Sequence, residues 1–480
     1  MGSRELAIVV VAAVGVASLA SGSAVAGTGA VAASPGTHVW GTAMKVPGTA
    51  TLNRGGNANV TSVSCASPGN CGAGGIYRDG TRHFQAFVVS QVSGTWHTAI
   101  EVPGTAALNQ GGDASITSVS CASAGNCSAG GFYGDGFGRQ AFVVGQTHGT
   151  WHAAIEVPGT AALNQGLAAE INSVSCASAG NCSAGGFYED SSGEHAFVVS
   201  QINGTWQKAI EVPGAALNQG GLADITSVSC ASAGNCGAGG FYLDSSFKEQ
   251  AFVVSQAGGT WHPAIEVPGT AALNRGGSAR TVSVSCASAG NCSAGGFYAS
   301  SAAGQAFVVS QVSGTWGTAI EVPGTAALNQ GGNDDITSVS CASAGNCSAG
   351  GFYLDSSGHH QAFVVSQVSG TWHPAIEVPG TAALNQGGFA WILSVSCASA
   401  GNCGAGGSYT DGSGHAQASV VSQVNGTWHP AIEVPGTAAL NQGGSAEVSS
   451  MSCALAGRCS AGGRYTNIFG RVQAFVDSET

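Results

Sequence analysis

Charge is scarce in this chain: only 8 % of its 480 residues are Asp, Glu, Lys or Arg, against about 25 % in an ordinary soluble domain. With so few charges and 77 glycines, ordinary surface helices are a poor fit as building material. Thirteen Lys and Arg stand against 25 Asp and Glu, a balance of −12, and the cations are scattered. A phosphate-binding surface needs concentrated positive charge, so no nucleic-acid partner is expected. Beyond the N-terminal segment there is no long apolar run, so no membrane span is expected once that segment is removed.

The N-terminal segment reads as a secretory signal over residues 1–26. Arg4 precedes an apolar stretch from Leu6 to Ala20, then Ser21-Gly22-Ser23 and the small-residue pattern Ala24-Val25-Ala26. A retained signal anchor is the alternative, and Glu5 departs from the usual cationic start. Residues 27–37 are small and polar and read as a flexible leader, and the expected location is extracellular. No cysteine precedes Cys65 and the Asp-Ser-Glu-Thr end is polar, so neither end suggests a lipid anchor.

What the chain has in abundance is repetition. Trp40, Trp96, Trp151, Trp206, Trp261, Trp316, Trp372 and Trp428 recur every 55 or 56 residues, which marks a repeat architecture. One unit reads Ile116 to Cys121, a turn, Cys127 to Tyr133, a loop, Gln140 to Val144, and Trp151 to Pro158. Runs rich in β-branched and aromatic residues between Gly, Asn, Asp and Pro are strands. In the last run Trp151, Ala153, Ile155 and Val157 alternate with more polar positions, which predicts one continuous pleated strand with those four on one face. Short connections make the unit a four-stranded antiparallel meander.

The chain starts with a lone fourth strand at Val39 to Pro47 and ends on three strands with no Trp segment after them. Head and tail therefore complete each other, and seven full units lie between. The expected fold is all-β: an eight-bladed β-propeller over residues 38–477, closed by the N-terminal strand joining the last blade. A solenoid is the runner-up, but it calls for capping repeats rather than a split unit.

With its Ser-Val-Ser-Cys hairpins, second cysteines and Gly-Thr-Trp turns, the sequence resembles tandem-blade β-propellers, and in particular secreted bacterial repeat proteins, a mostly uncharacterised group. The resemblance implies an extracellular scaffold and brings no catalytic residues. Ser90 to Trp96 also resembles the Asp-box turn of sialidase-like propellers, but it lacks the Asp and is one residue short, so that activity is not carried over.

All 16 cysteines form pairs across one turn: Cys65/Cys71, Cys121/Cys127, Cys176/Cys182, Cys230/Cys236, Cys286/Cys292, Cys341/Cys347, Cys397/Cys403 and Cys453/Cys459. Opposed strand positions in an exported protein point to eight hairpin disulfides. Each closes so short a loop that it contributes only about 2–3 kcal/mol, and its expected role is to guard the hairpin against fraying. No second cluster of ligands recurs in the unit, so no zinc or other metal site is expected, and no cofactor.

The eight tyrosines share one slot, Tyr77 through Tyr465, and with the repeat tryptophans read as packing elements. Ser, Ala and Gly in the first two strands suit crowding near the axis. Glu101, Glu156, Glu211, Glu266, Glu321, Glu377 and Glu433 recur before Val-Pro-Gly, with Lys45 in the equivalent slot. Each Glu is expected to accept N–H groups of its connecting loop, the alternative being a cation-binding ring.

Recognition is expected in the variable loops between the second and third strands, on the face that also carries the connections between blades. The candidate binding residues are Asp135, Asp190, Asp244, Asp355 and Asp411 in these loops, with Phe389 and Trp391 in an inter-blade segment. Drift of unconstrained surface gives the same variation, and Trp391 reads first as core filler, with a stacking contact as the alternative. His97, His152, His262, His373 and His429 follow the repeat Trp, but Gln207 and Gly317 replace them elsewhere, so this slot is not a ligand or base.

The first functional expectation is a secreted, non-enzymatic scaffold that binds a protein or surface polymer through its loop face. The second is a multivalent glycan binder using the repeated Thr-Ala-Ala-Leu-Asn-Gln-Gly-Gly loops. The third, a polysaccharide hydrolase or lyase, requires non-repeated acidic residues converging on the central channel.

Overall fold

A computed structural model describes residues 39–479 apart from residue 302; the expected signal and leader segments, 1–26 and 27–37, lie outside the described residues. Blade 1 shows how each unit folds. β2 (Ala58–Ser67) and β3 (Asn70–Arg78) form a hairpin, followed by β4 (Phe84–Val92), β5 (Thr95–Trp96) and β6 (Ile100–Glu101). Between β4 and β5, Ser93 and Gly94 take φ of 48° and 85°, the two positive values that a two-residue turn needs to match strand twist.

Seven sheets repeat this order, and β1 (Met44–Lys45) completes the eighth by pairing with Val472–Ser478. Met44 lies opposite Val476 and Lys45 opposite Phe475, while Trp40, Ala43 and Val46 are buried along the same seam. The eight-bladed propeller closed by its N-terminal strand is therefore the observed fold.

The fourth strand departs from the expected single run. Its two short pieces, β5 and β6, both pair with β4, and the chain between them leaves the sheet. In blade 2 this buries Trp151, Ala154 and Val157 and leaves Ala153 and Ile155 exposed. The interruption shifts the facing by one residue, so strict alternation fails there.

Both faces of each blade are covered, which explains the uninterrupted Ala-Phe-Val-Val run of the third strand. Phe87 and Val89 pack with Ala474 and Val476 of blade 8, whereas Ala86 and Val88 pack with Ile116, Val119 and Phe142 of blade 2.

The serines of Ser-Val-Ser-Cys do more than fit a crowded axis. Strand one is an edge strand whose unpaired N–H groups need acceptors. Val119 N donates to Ser62 Oγ and Cys121 N to Ser64 Oγ of the preceding blade, each at 2.9 Å. The pattern passes from blade to blade and closes at Val63 N to Ser450 Oγ and Cys65 N to Ser452 Oγ, again at 2.9 Å. The motif is thus a pair of hydrogen-bond circuits around the axis.

All eight expected disulfides are formed, with Cα atoms 3.9–4.0 Å apart. They also do something beyond the expected guarding of the hairpin against fraying. The second cysteine of every pair, Cys71, Cys127, Cys182, Cys236, Cys292, Cys347, Cys403 and Cys459, is buried at 4–6 % exposure. Cys71 packs in one core with Ala474 and Val476 of blade 8, Cys292 with Ala251 and Val253 of blade 4, and Cys347 with Ala306 and Val308 of blade 5. Cys403 meets Ala362 and Val364 of blade 6, and Cys459 meets Ala418 and Val420 of blade 7. A half-cystine is apolar, and strand two turns this one inward against the preceding blade. These cysteines are therefore core residues that join blades as well as staples within a hairpin.

Candidate functional site

The propeller has two distinct ends. At one, the disulfide hairpin and the turn before Trp meet through Gly94 N to Gly69 O, 2.9 Å. At the other, the inter-blade connection meets the variable hairpin, as in Gly111 N to Gly134 O, 2.7 Å. Phe137, Phe247, Phe389, Trp391 and the candidate aspartates all lie at this second end. The buried sulfurs of Cys71, Cys292, Cys347, Cys403 and Cys459 belong to the core and take no part in it.

The aspartates build the variable hairpins. Asp135 Oδ1 accepts the amides of Phe137 and Gly138 at 2.8 and 2.7 Å, and Oδ2 accepts Gln140 Nε2 at 3.0 Å. Asp244, Asp355 and Asp411 repeat this arrangement with Gln250, Gln361 and Gln417. The same bonds shift the carboxyls below their ordinary range: burial opposes the shift at Asp135, Asp244 and Asp355, but the hydrogen bonds outweigh it. Each of these four carboxylates accepts three hydrogen bonds within its loop, so these residues shape the tips.

Asp190 differs because His195 replaces the Gln. His195 Nε2 lies 3.1 Å from Asp190 Oδ1 and 2.9 Å from Ser192 Oγ, and Nδ1 lies 3.4 Å from Glu211 Oε1. The order of groups looks like a nucleophilic triad, but the Ser192 hydroxyl donates to Asp190 at 2.6 Å. The serine hydroxyl is thus directed to the Asp190 carboxylate and not to the imidazole.

The recurring inter-blade Asn is buried and structural. Asn109 Nδ2 donates to Phe84 O at 3.0 Å and Gln85 Oε1 at 2.8 Å, and Oδ1 accepts Asp113 N at 2.8 Å. The recurring Glu accepts hydroxyls rather than the expected amides: Tyr77 donates to Glu101 at 2.8 Å, and Thr437 and Tyr409 donate to Glu433 at 3.1 and 3.5 Å. Burial, then the neighbouring Glu433 charge, pushes Tyr409 up to about 12.

Sequence reasoning missed a ring of non-repeated residues at the start of strand one. Between an Ala, replaced by Asp334 in blade 6, and a β-branched residue stand Asn59, Ser115, Glu170, Asp224, Arg280, Asp335, Trp391 and Glu447. Only Trp391 announced itself, as the lone Trp outside the repeat slot. The signal was available by aligning the eight copies column by column, since no other column of this strand changes charge so freely.

Glu170, Asp224 and Asp335 bring acid into this ring at blades 3, 4 and 6, on either side of Arg280 at blade 5. Asn172 Nδ2 donates to both carboxylate oxygens of Asp224 at 2.8 and 3.0 Å. Burial foremost, then repulsion from Glu194 and Glu170, raises Asp224 well above its ordinary value. Glu194 and Asp335 rise to about 7, again chiefly through burial, with Glu189 and Asp334 respectively adding repulsion. The nearby cations are committed: Arg139 pairs with Glu170 and Asp113 at 3.0 and 3.2 Å, and Arg280 with Glu249.

An aromatic row borders the acidic arc. Phe352 meets His360 at 5.3 Å, His360 meets Phe389 at 4.9 Å, and Phe389 meets Trp391 at 5.0 Å between ring centroids. The two candidate aromatics are therefore brought together. At the hairpin tips, Phe137, Phe247 and Phe469 are 87, 75 and 82 % exposed. Among the described residues no group of three or more His, Cys, Asp or Glu is placed to hold a metal ion, and no helix is long and apolar enough to cross a membrane.

No family model matches the chain, and no curated protein is similar to it. Solved structures share its fold. Sqt1 of Chaetomium thermophilum aligns over 90 % of this chain and 99 % of its own at 12 % identity, with a TM-score of 0.50. The same protein bound to the N-terminus of ribosomal protein L10 aligns over 88 % and 98 % at 12 % identity, TM-score 0.50. The GH74 xyloglucanase of Xanthomonas campestris matches 82 % of this chain at 16 % identity, TM-score 0.46, and the chain spans 55 % of that enzyme's length. At 12 % identity the two Sqt1 structures show the fold alone.

Proposed function

We propose that this protein is an exported, non-enzymatic binding scaffold that engages a protein or surface polymer through the end carrying the variable hairpins. The observation that carries this reading is the exposure of Phe137, Phe247 and Phe469 at three hairpin tips of one end. Such rings gain nothing from the fold, and aromatic side chains are typical anchors of binding surfaces. Asp135, Asp244 and Asn467 hold those tips in place, and the acidic arc supplies specificity for cationic or hydroxylated groups. Eight disulfides suit an oxidising compartment.

A second reading rests on the acidic arc. Non-repeated carboxyls held near neutrality, Glu194 and Asp335, are what general-acid hydrolysis of a glycan uses. The test is to incubate the oxidised protein with soluble and insoluble polysaccharides and with cell-surface protein, measuring retention and released reducing sugar together. The scaffold reading expects retention without release. Release that is lost in Glu194→Gln overturns it in favour of the hydrolase.

A further inference from the structure

The disulfide end is as uniform as the opposite end is variable, and it is built around clefts between successive blades. Four consecutive clefts, between blades 2 and 3, 3 and 4, 4 and 5, and 5 and 6, have cavity volumes of about 560, 240, 340 and 350 Å³. Each is lined by the disulfide hairpins, the Gln of the third strand and backbone of the Gly turns. No Asp, Glu, Lys or Arg lines any of the four.

Two further features are unexplained by packing. Gln256, only 4 % exposed, lines the clefts on both sides of blade 4. Its Nε2 donates to Ser200 Oγ at 3.0 Å and Gly259 O at 3.2 Å, but its buried Oε1 has no partner. A buried acceptor without a donor is costly and calls for one. In addition, each cleft carries one aliphatic side chain, Ile155, Ile202, Ile265 or Val312, that is 43–66 % exposed.

The geometry points to these clefts as a row of neighbouring sites for a neutral polysaccharide, gripped at several blades at once. A neutral chain of hydroxyl-bearing units supplies a donor to Gln256 Oε1 and lays its C–H face on the aliphatic groups, with no charge to neutralise. Uncharged clefts at successive blade junctions suit a ligand that is itself repetitive, and each weak contact raises the effective concentration for the next. These sites lie at the end opposite the hairpin tips, so they stand or fall independently of the scaffold reading above. They also differ from the Thr-Ala-Ala-Leu-Asn-Gln-Gly-Gly loops, whose Asn is occupied between blades.

The test is retention of the oxidised full propeller on cellulose, starch, xylan, chitin and a β-1,3-glucan, with heparin and polygalacturonate as charged controls. The variant combines Ile155→Glu, Ile202→Glu, Ile265→Glu and Val312→Glu, all at solvent-exposed positions, with thermal unfolding as the control for folding. The expected result is retention on at least one neutral polymer, weakened less than threefold by Ile155→Glu alone and about 100-fold or more by the fourfold variant, as loss of multivalency demands. A second variant, Phe137→Ser with Phe247→Ser, leaves this retention unchanged. No retention on any neutral polymer, retention on charged polymers only, or a folded fourfold variant that binds like the parent overturns the proposal.

Discussion

The indole N–H of Trp391 donates to Ser408 Oγ at 2.7 Å, across a directly opposed cross-strand pair. In blades 2 to 6 the second position of this pair is Phe, opposite a small or charged residue. Blade 7 exchanges the two: the large ring moves to strand one, and a small hydroxyl takes the place of Phe.

The exchange predicts a strong coupling. Ser408→Phe alone crowds Trp391 and costs about 1–3 kcal/mol. Trp391→Asp with Ser408→Phe rebuilds the Asp335–Phe352 pair of blade 6 and recovers most of the loss. A double-mutant cycle by denaturant unfolding checks this, and additive losses contradict it.

The serine circuits predict an effect on the neighbouring blade. Ser64→Ala leaves Cys121 N without its acceptor and costs about 1–3 kcal/mol. Hydrogen exchange at Cys121, in blade 2, accelerates more than at Cys176, whose acceptor is Ser120.

The closing seam predicts that ring stability depends on a short segment. Trp40→Ala removes a buried ring and costs about 3–5 kcal/mol. Deleting the chain through Pro47 removes the Met44–Val476 and Lys45–Phe475 pairing and lowers Tm further. An unchanged Tm contradicts the seam.

Two sets of carboxyls give stability opposite dependences on pH. Glu194, Asp335 and Asp477 are raised to about 7 in the folded state, mainly by burial. The stability linked to them is full below their unfolded values near 4 and is lost as pH rises toward about 7. Burial acts to raise Asp79 as well, but hydrogen bonds from Thr81, Gln85 and His83 outweigh it and hold this carboxyl at about 2. Its contribution is present above about 4 and is lost as pH falls toward 2. Tm is therefore expected to be highest near pH 4–5 and to fall on both sides, more by pH 8 than by pH 3. A Tm that rises from pH 5 to pH 8 contradicts this assignment.

The period of the Trp residues and the split first and last units made the blade count and closure legible, because both are properties of chain order alone. The disulfide pairs were legible for the same reason. That Cys71, Cys292, Cys347, Cys403 and Cys459 also fill the core against a neighbouring blade was not, since the inward facing of strand two depends on how blades stack. Ile155 was misplaced because the break between the two short outer strands carries no distinct residue signal: Ala153 and Ala154 look alike, yet only Ala154 is buried. The Glu433 partners Tyr409 and Thr437 lie 24 and 4 residues away, and register across strands is needed to pair the first of them. The clefts are invisible in sequence because they arise between blades from residues that look like ordinary turn chemistry.

The most direct test of the binding account compares capture of cell-surface material by the parent protein and by a variant carrying Phe137→Ser, Phe247→Ser and Phe469→Ser. The account predicts at least tenfold weaker capture by the variant of a component that the fourfold cleft variant still retains, with Tm unchanged. Equal capture by parent and variant would contradict the assignment of recognition to the hairpin tips.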